Sequence, residues 1–158
     1  MSARLERARK WIGGTSNRTF IVWPMVLFGI EALLQQGWPR LHLWALPLLA
    51  WGYLQYKLVG RYRTREGGGG PGISVPPDRV VAVGPYRFVR NPMYLGHLIF
   101  YAGMALLLGS WIAAAVFAFH AFWFDRRVRE DEARLTERFG DSYREYCRRV
   151  KRWVPGVL

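Results

Sequence analysis

The sequence predicts an all-α integral membrane protein with four transmembrane helices, the last two a tight hairpin, and a cytoplasmic C-terminal amphipathic helix. Two observations support this fold class. Hydrophobic residues make up 51% of the 158 residues and concentrate in four runs, as is typical of helices that cross a bilayer. The net charge of +12 is concentrated between alternate runs. The length suits a single domain, which we place over residues 1–158.

The first two apolar runs, residues 19–34 and 41–59, approach the length that a bilayer requires. A standard helical span needs roughly 20 residues. The first run follows a basic segment, and no small-residue cleavage pattern comes after it. We therefore expect a retained helix rather than a removable signal peptide.

The third and fourth runs, residues 94–108 and 111–124, are shorter than a standard span. Only Gly109 and Ser110 separate them. Such a short connection between apolar helices predicts an antiparallel hairpin with no loop outside the membrane.

The basic residues alternate between the two sides of the predicted spans. Counting Lys57 with the loop after the second span, the five segments in chain order carry five, one, seven, none and ten Lys and Arg residues. Because these residues collect in cytoplasmic loops, both termini are predicted to be cytoplasmic. Membrane orientation and attraction to anionic lipid then explain the charge better than nucleic-acid binding does. The Arg, Gly and Ala content favours a bacterial inner membrane.

The predicted cytoplasmic loop covers residues 60–92 and contains the stretch EGGGGPGISVPPD. Its glycines and prolines indicate a flexible linker. The glycine run is not a phosphate loop, because it follows no predicted strand and has no Lys-Ser/Thr pair after it. Turns at Gly84-Pro85 and Asn91-Pro92 bracket a short extended segment. They place Arg90, Asn91 and Tyr94 at the membrane surface.

The C-terminal region, residues 126–153, is predicted to be a helix with one apolar and one basic face. Gly140 interrupts its pattern and marks a bend or break, and Pro155 ends the helix. The acidic triplet Glu130 to Glu132 is either a solvated ion-pair cluster or a site for a cation. The apolar positions follow helical spacing and are Leu135, Phe139, Tyr143, Tyr146, Val150 and Trp153.

Ionisable residues inside the predicted spans are functional candidates, and they are Glu31, His97 and His120. The two histidines lie on different helices without a third ligand at metal spacing, so we expect interhelical hydrogen bonds and no metal site. The single cysteine, Cys147, excludes an intramolecular disulfide and a cysteine-rich zinc site.

Two segments resemble one known pattern. GPYRFVRNPMYLG is similar to the Gly-x-Tyr…Arg-His-Pro-x-Tyr-x-Gly element of the isoprenylcysteine carboxyl methyltransferase and phospholipid methyltransferase families. DEARLTERFGDSYREYCRRVKRWVP resembles their C-terminal Glu-Glu-x-x-Leu…Phe-Gly…Tyr…Tyr…Val…Pro element. With the intervening hairpin, the resemblance covers Gly84 to Pro155. Each motif alone is weak evidence, but both in this order around a membrane hairpin are specific.

The resemblance implies an integral membrane methyltransferase that uses S-adenosylmethionine, releases S-adenosylhomocysteine and methylates a lipophilic or membrane-associated acceptor. The cofactor pocket then lies at the cytoplasmic end of the helices, in place of a Rossmann domain. The catalytic residues it implies are Arg90, Asn91 and Tyr94. The cofactor-binding residues it implies are Tyr86, Arg90, Tyr94, His97, Asp131, Glu132, Tyr143 and Tyr146.

Two departures from the family pattern leave the acceptor open among a carboxylate, an amine and a thiol. Asn91 stands where the best-known members have His, which removes a titratable group, and Asp131 replaces the first Glu of the acidic pair. Two alternatives are an NADPH-dependent reductase similar to the sterol reductases, which share parts of both motifs, and a non-catalytic membrane scaffold. The expected partners are membrane lipid and the lipophilic substrate, and the expected state is a monomer or weak homo-oligomer.

Overall fold

The computed structural model describes residues 6, 11, 13–70, 72–73 and 75–153. In this part of the chain the regular structure is helical, which confirms the predicted all-α class, and one isolated bridge joins Val89 to Lys151. Short 3₁₀ turns precede the second and third helices, at Leu43–Ala45 and Gly84–Arg87. The main helices are α1 Thr15–Leu34, α2 Leu46–Gly67, α3 Pro92–Leu108, α4 Trp111–Phe139 and α5 Asp141–Arg149.

One helix among the described residues is long and apolar enough to cross a bilayer, judged by its length and composition alone. This helix is α1, with 20 residues. The apolar helix α3 is shorter, with 17 residues.

Two helices continue well beyond the apolar runs that predicted them. α2 extends to Gly67 instead of ending at residue 59, and α4 extends to Phe139 instead of ending at residue 124. The added residues are mostly charged, strong helix formers, no Pro lies among them, and Gly60 is the one Gly among them before Gly67 and Gly140. The C-terminal region is therefore continuous with α4 rather than a helix that starts anew at residue 126.

Gly140 breaks the helix where the sequence predicted a bend or break. Its φ of 58° lies in the left-handed region, which glycine adopts without steric cost. The next helix, α5, ends at Arg149 and Val150 is extended, so the prediction of a helix through residue 153 is wrong. The chain after α5 instead runs beside the segment before α3. The predicted end at Pro155 lies outside the described residues.

The hairpin of α3 and α4 turns through Gly109 and Ser110, as predicted. Gly109 adopts the left-handed conformation, with a φ of 55°. The Ser110 hydroxyl accepts a hydrogen bond from the Ala113 amide at 3.2 Å and caps α4. The same hydroxyl donates to the buried carboxylate of Glu31 in α1, which joins α1 to the hairpin at the end far from residues 84–91.

Helices α2 and α3 approach each other until their backbones touch. A Cβ atom at Gly52 would lie 2.6 Å from the backbone nitrogen of Phe100 and 2.8 Å from the carbonyl oxygen of Gly96. A Cβ atom at Gly96 would lie 2.9 Å from the carbonyl oxygen of Gly52. Small residues at both positions therefore allow the central helix α3 to pack closely on α2.

Replacing Gly52 by Ala is expected to destabilise the protein by about 1–3 kcal/mol, because the new methyl group collides with backbone atoms that cannot rotate away. Thermal unfolding in detergent measures the effect. The matched control is Gly29→Ala in α1, where nothing lies within 4 Å of the added Cβ, and its melting temperature should stay the same or rise slightly. Equal melting temperatures for both variants would contradict the proposed helix contact.

Candidate functional site

A cavity of about 340 Å³ lies at the end of the helices where the two sequence motifs meet. This volume is within the roughly 300–1,000 Å³ range of small-molecule pockets. Its wall is built from the segment before α3, the first turn of α3, the charged half of α4, and α5. Seven of the residues predicted for the site line it, namely Tyr86, Arg90, Asn91, Tyr94, Asp131, Tyr143 and Tyr146.

Four tyrosines, together with Phe139, supply the aromatic part of the wall, and each tyrosine is largely buried. The Tyr146 hydroxyl donates to the backbone carbonyl of Tyr86 at 2.7 Å, which fixes α5 against the turn before α3. Burial raises the pKa of Tyr86, Tyr143 and Tyr146, so these hydroxyls remain protonated at neutral pH. The tyrosine rings thus form an uncharged part of the wall, beside its charged Asp131 and arginine side chains.

Arg90 and Glu132 form a bidentate ion pair behind the cavity. Arg90 Nε donates to Glu132 Oε1 at 2.8 Å, and Nη2 donates to Oε2 at 3.2 Å. Arg90 Nη1 also donates to the carbonyl oxygens of Cys147 and Val150, each at 2.9 Å. Four of the five guanidinium N–H groups are therefore used inside the protein. We call this arrangement the Arg90–Glu132 clamp.

Neighbouring side chains use the full hydrogen-bond-accepting capacity of the Glu132 carboxylate. Besides the two bonds from Arg90, it accepts one from Asn91 at 3.2 Å and two from Arg152 at 2.8 and 3.1 Å. Burial opposes ionisation of this carboxyl, but the hydrogen bonds and charges of Arg152 and Arg90 outweigh it and hold its pKa below the ordinary value. Glu132 does not line the cavity, so the structure places it in the clamp.

Asp131 is the carboxylate on the cavity wall. Its Oδ2 accepts a hydrogen bond from the Tyr94 hydroxyl at 2.5 Å. Its Oδ1 is paired with Arg134, and with Arg127 Nε at 3.5 Å. A carboxylate offers about four lone-pair sites, so Asp131 retains capacity for a ligand. Successive helical residues point about 100° apart, which separates Asp131 from Glu132.

His97, which the resemblance places at the cofactor, lies away from this cavity lining. Its ring is packed between the rings of Phe20, Tyr56 and Phe124, with centroid distances of 4.8, 4.7 and 5.5 Å. Neither nitrogen has a hydrogen-bond partner among the described residues. The interhelical hydrogen bond expected for His97 is therefore not present in this part of the chain, and its surroundings are those of a packing residue.

The loop predicted to be a flexible linker folds over the cavity instead. The guanidinium Nη2 of Arg63 donates to the carbonyl oxygens of Gly70, Gly72 and Val75, at 2.6 to 2.9 Å. The Gly67 carbonyl accepts from the amide of Asp78 at 2.7 Å. These bonds fold the glycine-rich stretch back on the end of α2. The described loop residues from 68 to 83 have no regular secondary structure, as their glycines and prolines predicted. The local sequence did not indicate the buried arginine that holds the loop.

Sequence reasoning missed two groups of lining residues. The apolar residues among the loop's glycines and prolines could have indicated the first group. Helical spacing from Asp131 along α4 could have indicated the second. The missed loop-side residues are Arg63, Ile73, Pro76, Pro77, Val80 and Val81. The missed arginines on α4 are Arg127, Arg134 and Arg138.

Comparisons with known proteins agree with the resemblance identified from the two motifs. Residues 72–142 match the sequence profile of the family described as phospholipid methyltransferase. This stretch includes the cavity-facing loop, the hairpin and the acidic pair on α4. The predicted family resemblance is therefore confirmed for this segment.

Three curated relatives carry methyltransferase names. The chain is 36% identical over 78 residues to the protein-S-isoprenylcysteine O-methyltransferase of Schizosaccharomyces pombe, which covers 48% of this chain and 33% of that protein. It is 36% identical over 80 residues to protein-S-isoprenylcysteine O-methyltransferase B of Arabidopsis thaliana, covering 50% and 41%. It is 34% identical over 85 residues to methanethiol S-methyltransferase 1 of Bradyrhizobium diazoefficiens, covering 53% and 29%. The matched segment thus spans less than half the length of each relative.

Replacing Glu132 by Gln is expected to destabilise the protein by about 3 kcal/mol or more, because it leaves the buried guanidinium of Arg90 without its counter-charge. Thermal unfolding in detergent measures this loss. The control is Glu145→Gln, whose pair with Arg149 at 3.7 Å is exposed, and its effect should stay within about 0.5 kcal/mol. A variant of Glu132 that melts like the unmodified protein would refute the clamp.

The clamp also predicts a pH dependence on the acid side. Because the pKa of folded Glu132 lies below its ordinary value of 4.5, its stabilisation is fully present above that ordinary value. It is lost as the pH falls through the lower folded-state pKa. Melting temperatures measured between about pH 7 and pH 3 should therefore fall less steeply in Glu132→Gln than in the unmodified protein. Parallel curves would show that Glu132 does not contribute.

Proposed function

Because residues 72–142 match the phospholipid methyltransferase family, we propose that this chain is an integral membrane methyltransferase using S-adenosylmethionine and a lipophilic acceptor. The cavity between the two motif segments is the observation that supports this proposal most directly. The named relatives methylate through oxygen or sulfur, so methyl transfer is the activity they share. For this chain, methyl transfer and the residues that perform it are part of the proposal.

We further propose four membrane spans, with both termini on the cytoplasmic side. The apolar halves of α1, α2, α3 and α4 form these spans, and the cavity lies at the end where the basic residues collect. Large apolar side chains that the protein leaves uncovered support a lipid-facing surface. They include Met25, Leu33, Trp44, Trp51, Leu58, Trp111, Phe119 and Phe122.

The residues around the cavity suit the chemistry of S-adenosylmethionine, which supplies an electrophilic methyl group on a sulfonium. Faces of Tyr86, Tyr94 and Tyr143 offer surfaces for adenine and for a cationic centre. Asp131 is a suitable acceptor for the ammonium group or the ribose hydroxyls. The cationic residues on the wall, among them Arg134, suit the carboxylate. All of these side chains line one cavity.

The clamp changes the roles that the family resemblance implies. Glu132 is saturated and lies behind the wall, so we assign ligand contact to Asp131 and a positioning role to Glu132. Arg90 keeps one Nη2–H for a ligand, because its other four N–H groups are used internally. Tyr94, fixed by its hydrogen bond to Asp131, lines the cavity next to Phe124 of α4 and would line the methyl-transfer site. We assign no ligand contact to His97.

The side-chain amide of Asn91 helps to identify the kind of methyl acceptor. It donates to Glu132 and, at 3.5 Å, to the carbonyl oxygen of Arg152, and an amide does not titrate. Asn91 therefore holds the motif in place without serving as a base. Methyl transfer to an acceptor that is already ionised needs no base, only alignment and exclusion of water. This favours an anionic acceptor over an amine that must first lose a proton.

The test is ligand-induced thermal stabilisation of the detergent-purified protein by S-adenosylmethionine, S-adenosylhomocysteine and NADPH. We expect saturable stabilisation by the two adenosyl compounds and none by NADPH. Asp131→Asn should weaken the apparent affinity about tenfold or more, because it removes a charge-assisted hydrogen bond. The control Glu137→Gln changes an exposed carboxylate of the same helix and should bind like the unmodified protein.

Methyl transfer itself is followed as radioactivity from methyl-labelled S-adenosylmethionine that enters the organic phase with added membrane lipids. Stabilisation by NADPH alone would contradict the methyltransferase proposal and favour the reductase alternative. Stabilisation by none of the three compounds would contradict a cofactor site and favour the scaffold alternative.

A further inference from the structure

A second cavity, of about 230 Å³, lies between α1 and α4. No residue lines both this cavity and the first one. Its wall combines aromatic rings with a few polar groups on α1, α3 and α4. The polar lining residues that matter here are Arg18, Thr19, Tyr101 and His120.

Arg18 brings to this cavity a charge that no Asp or Glu side chain of the described residues neutralises. All eleven Asp and Glu residues of the chain lie in the described ranges. Within those ranges none pairs with Arg18 within 4.0 Å. The guanidinium instead lies over the ring of Trp123, 5.6 Å from its centre. Such stacking orients a guanidinium and leaves its N–H edge for an anion.

Within the described part of the chain, one buried group in the cavity wall lacks a hydrogen-bond partner, and a second group presents an acceptor atom. Tyr101 is only 1% exposed, and its hydroxyl has no partner among the described residues. His120 Nδ1 lies 2.8 Å from the carbonyl oxygen of Val116. A carbonyl only accepts, so Nδ1 carries the proton and Nε2 of the neutral ring keeps a lone pair. Buried polar groups normally find a partner, so the Tyr101 hydroxyl points to a ligand that supplies an acceptor.

The backbone at this cavity is also unusual. Residues Arg18–Val22 form a π-helical turn within α1. Such a turn widens the helix and is frequent at functional sites. Here it carries Arg18 and Thr19, two of the three polar residues of α1 that line the cavity; the third is Thr15.

We propose that this second cavity binds the anionic group, a carboxylate or phosphate, of an amphiphile. Arg18 and the Tyr101 hydroxyl donate to the anion, and His120 Nε2 accepts from a donor beside it. The aromatic rings of Trp23, Phe119 and Trp123 hold the lipophilic body.

The position of the cavity connects this ligand to the methyltransferase site. Phe124 lines the second cavity, and its ring lies 5.2 Å from the ring of Tyr94, which lines the first. One aromatic layer therefore separates the two. Identifying the amphiphile as the methyl acceptor rests on the proposed function, whereas its binding does not.

The test uses the full chain in a neutral maltoside detergent, titrated with N-dodecanoylglycine, dodecyl phosphate or dodecanol while thermal unfolding is followed. We expect saturable stabilisation by at least one anionic amphiphile and none by dodecanol. Preference for the carboxylate or for the phosphate identifies the source of the anion, and either result supports the site. Arg18→Ala should weaken binding about tenfold or more, whereas Arg61→Ala, an exposed arginine of α2, should not.

Tyr101→Phe provides a second variant that preserves packing. Because the Tyr101 hydroxyl has no partner among the described residues, this variant should melt no lower than the unmodified protein, yet bind the anionic amphiphile several-fold more weakly. Equal stabilisation by dodecanol, or unchanged binding in both Arg18→Ala and Tyr101→Phe, would overturn the proposal. Binding of S-adenosylhomocysteine is measured in the same samples. Its absence would contradict the proposed function and leave the amphiphile result standing.

Discussion

The buried ion pair between Arg90 and Glu132 is the interaction on which the rest of the site depends. It joins the start of α3 to the middle of α4, and through the carbonyl oxygens of Cys147 and Val150 it also fixes the end of α5. Removing Glu132 leaves the buried guanidinium of Arg90 without a carboxylate, and removing Arg90 leaves Glu132 with Arg152 alone. Either loss is more costly than losing an exposed pair. The pair therefore determines where the motif segments lie relative to each other.

This constraint explains how two adjacent acidic residues acquire different tasks. Glu132 turns toward the clamp and is saturated, whereas Asp131 faces the cavity and holds the Tyr94 hydroxyl. The 100° step of the helix is sufficient to separate them. A ligand in the cavity would thus meet Asp131, Tyr94 and the single remaining N–H of Arg90, on a frame that the clamp makes rigid.

The two cavities differ in chemistry in a way that suits two unlike substrates. The first has both charge signs and several tyrosines, which fits a zwitterionic, water-soluble methyl donor. The second has one unneutralised guanidinium among aromatic rings, which fits an anionic amphiphile. Tyr94 and Phe124 form the layer between them. The loop held by Arg63 contributes apolar residues to the lining of the first cavity.

The sequence by itself determined the features that depend on neighbouring residues along the chain. Apolar runs predicted the helices, Gly109 and Gly140 marked the turn and the break, and the motifs indicated which segments belong to the site. Only the tertiary structure decided that Glu132 belongs to the clamp, that His97 packs among rings and that the glycine-rich loop is held by Arg63. Helical periods and turn residues act locally, whereas a buried charge takes its role from partners distant in sequence, such as Arg90 for Glu132.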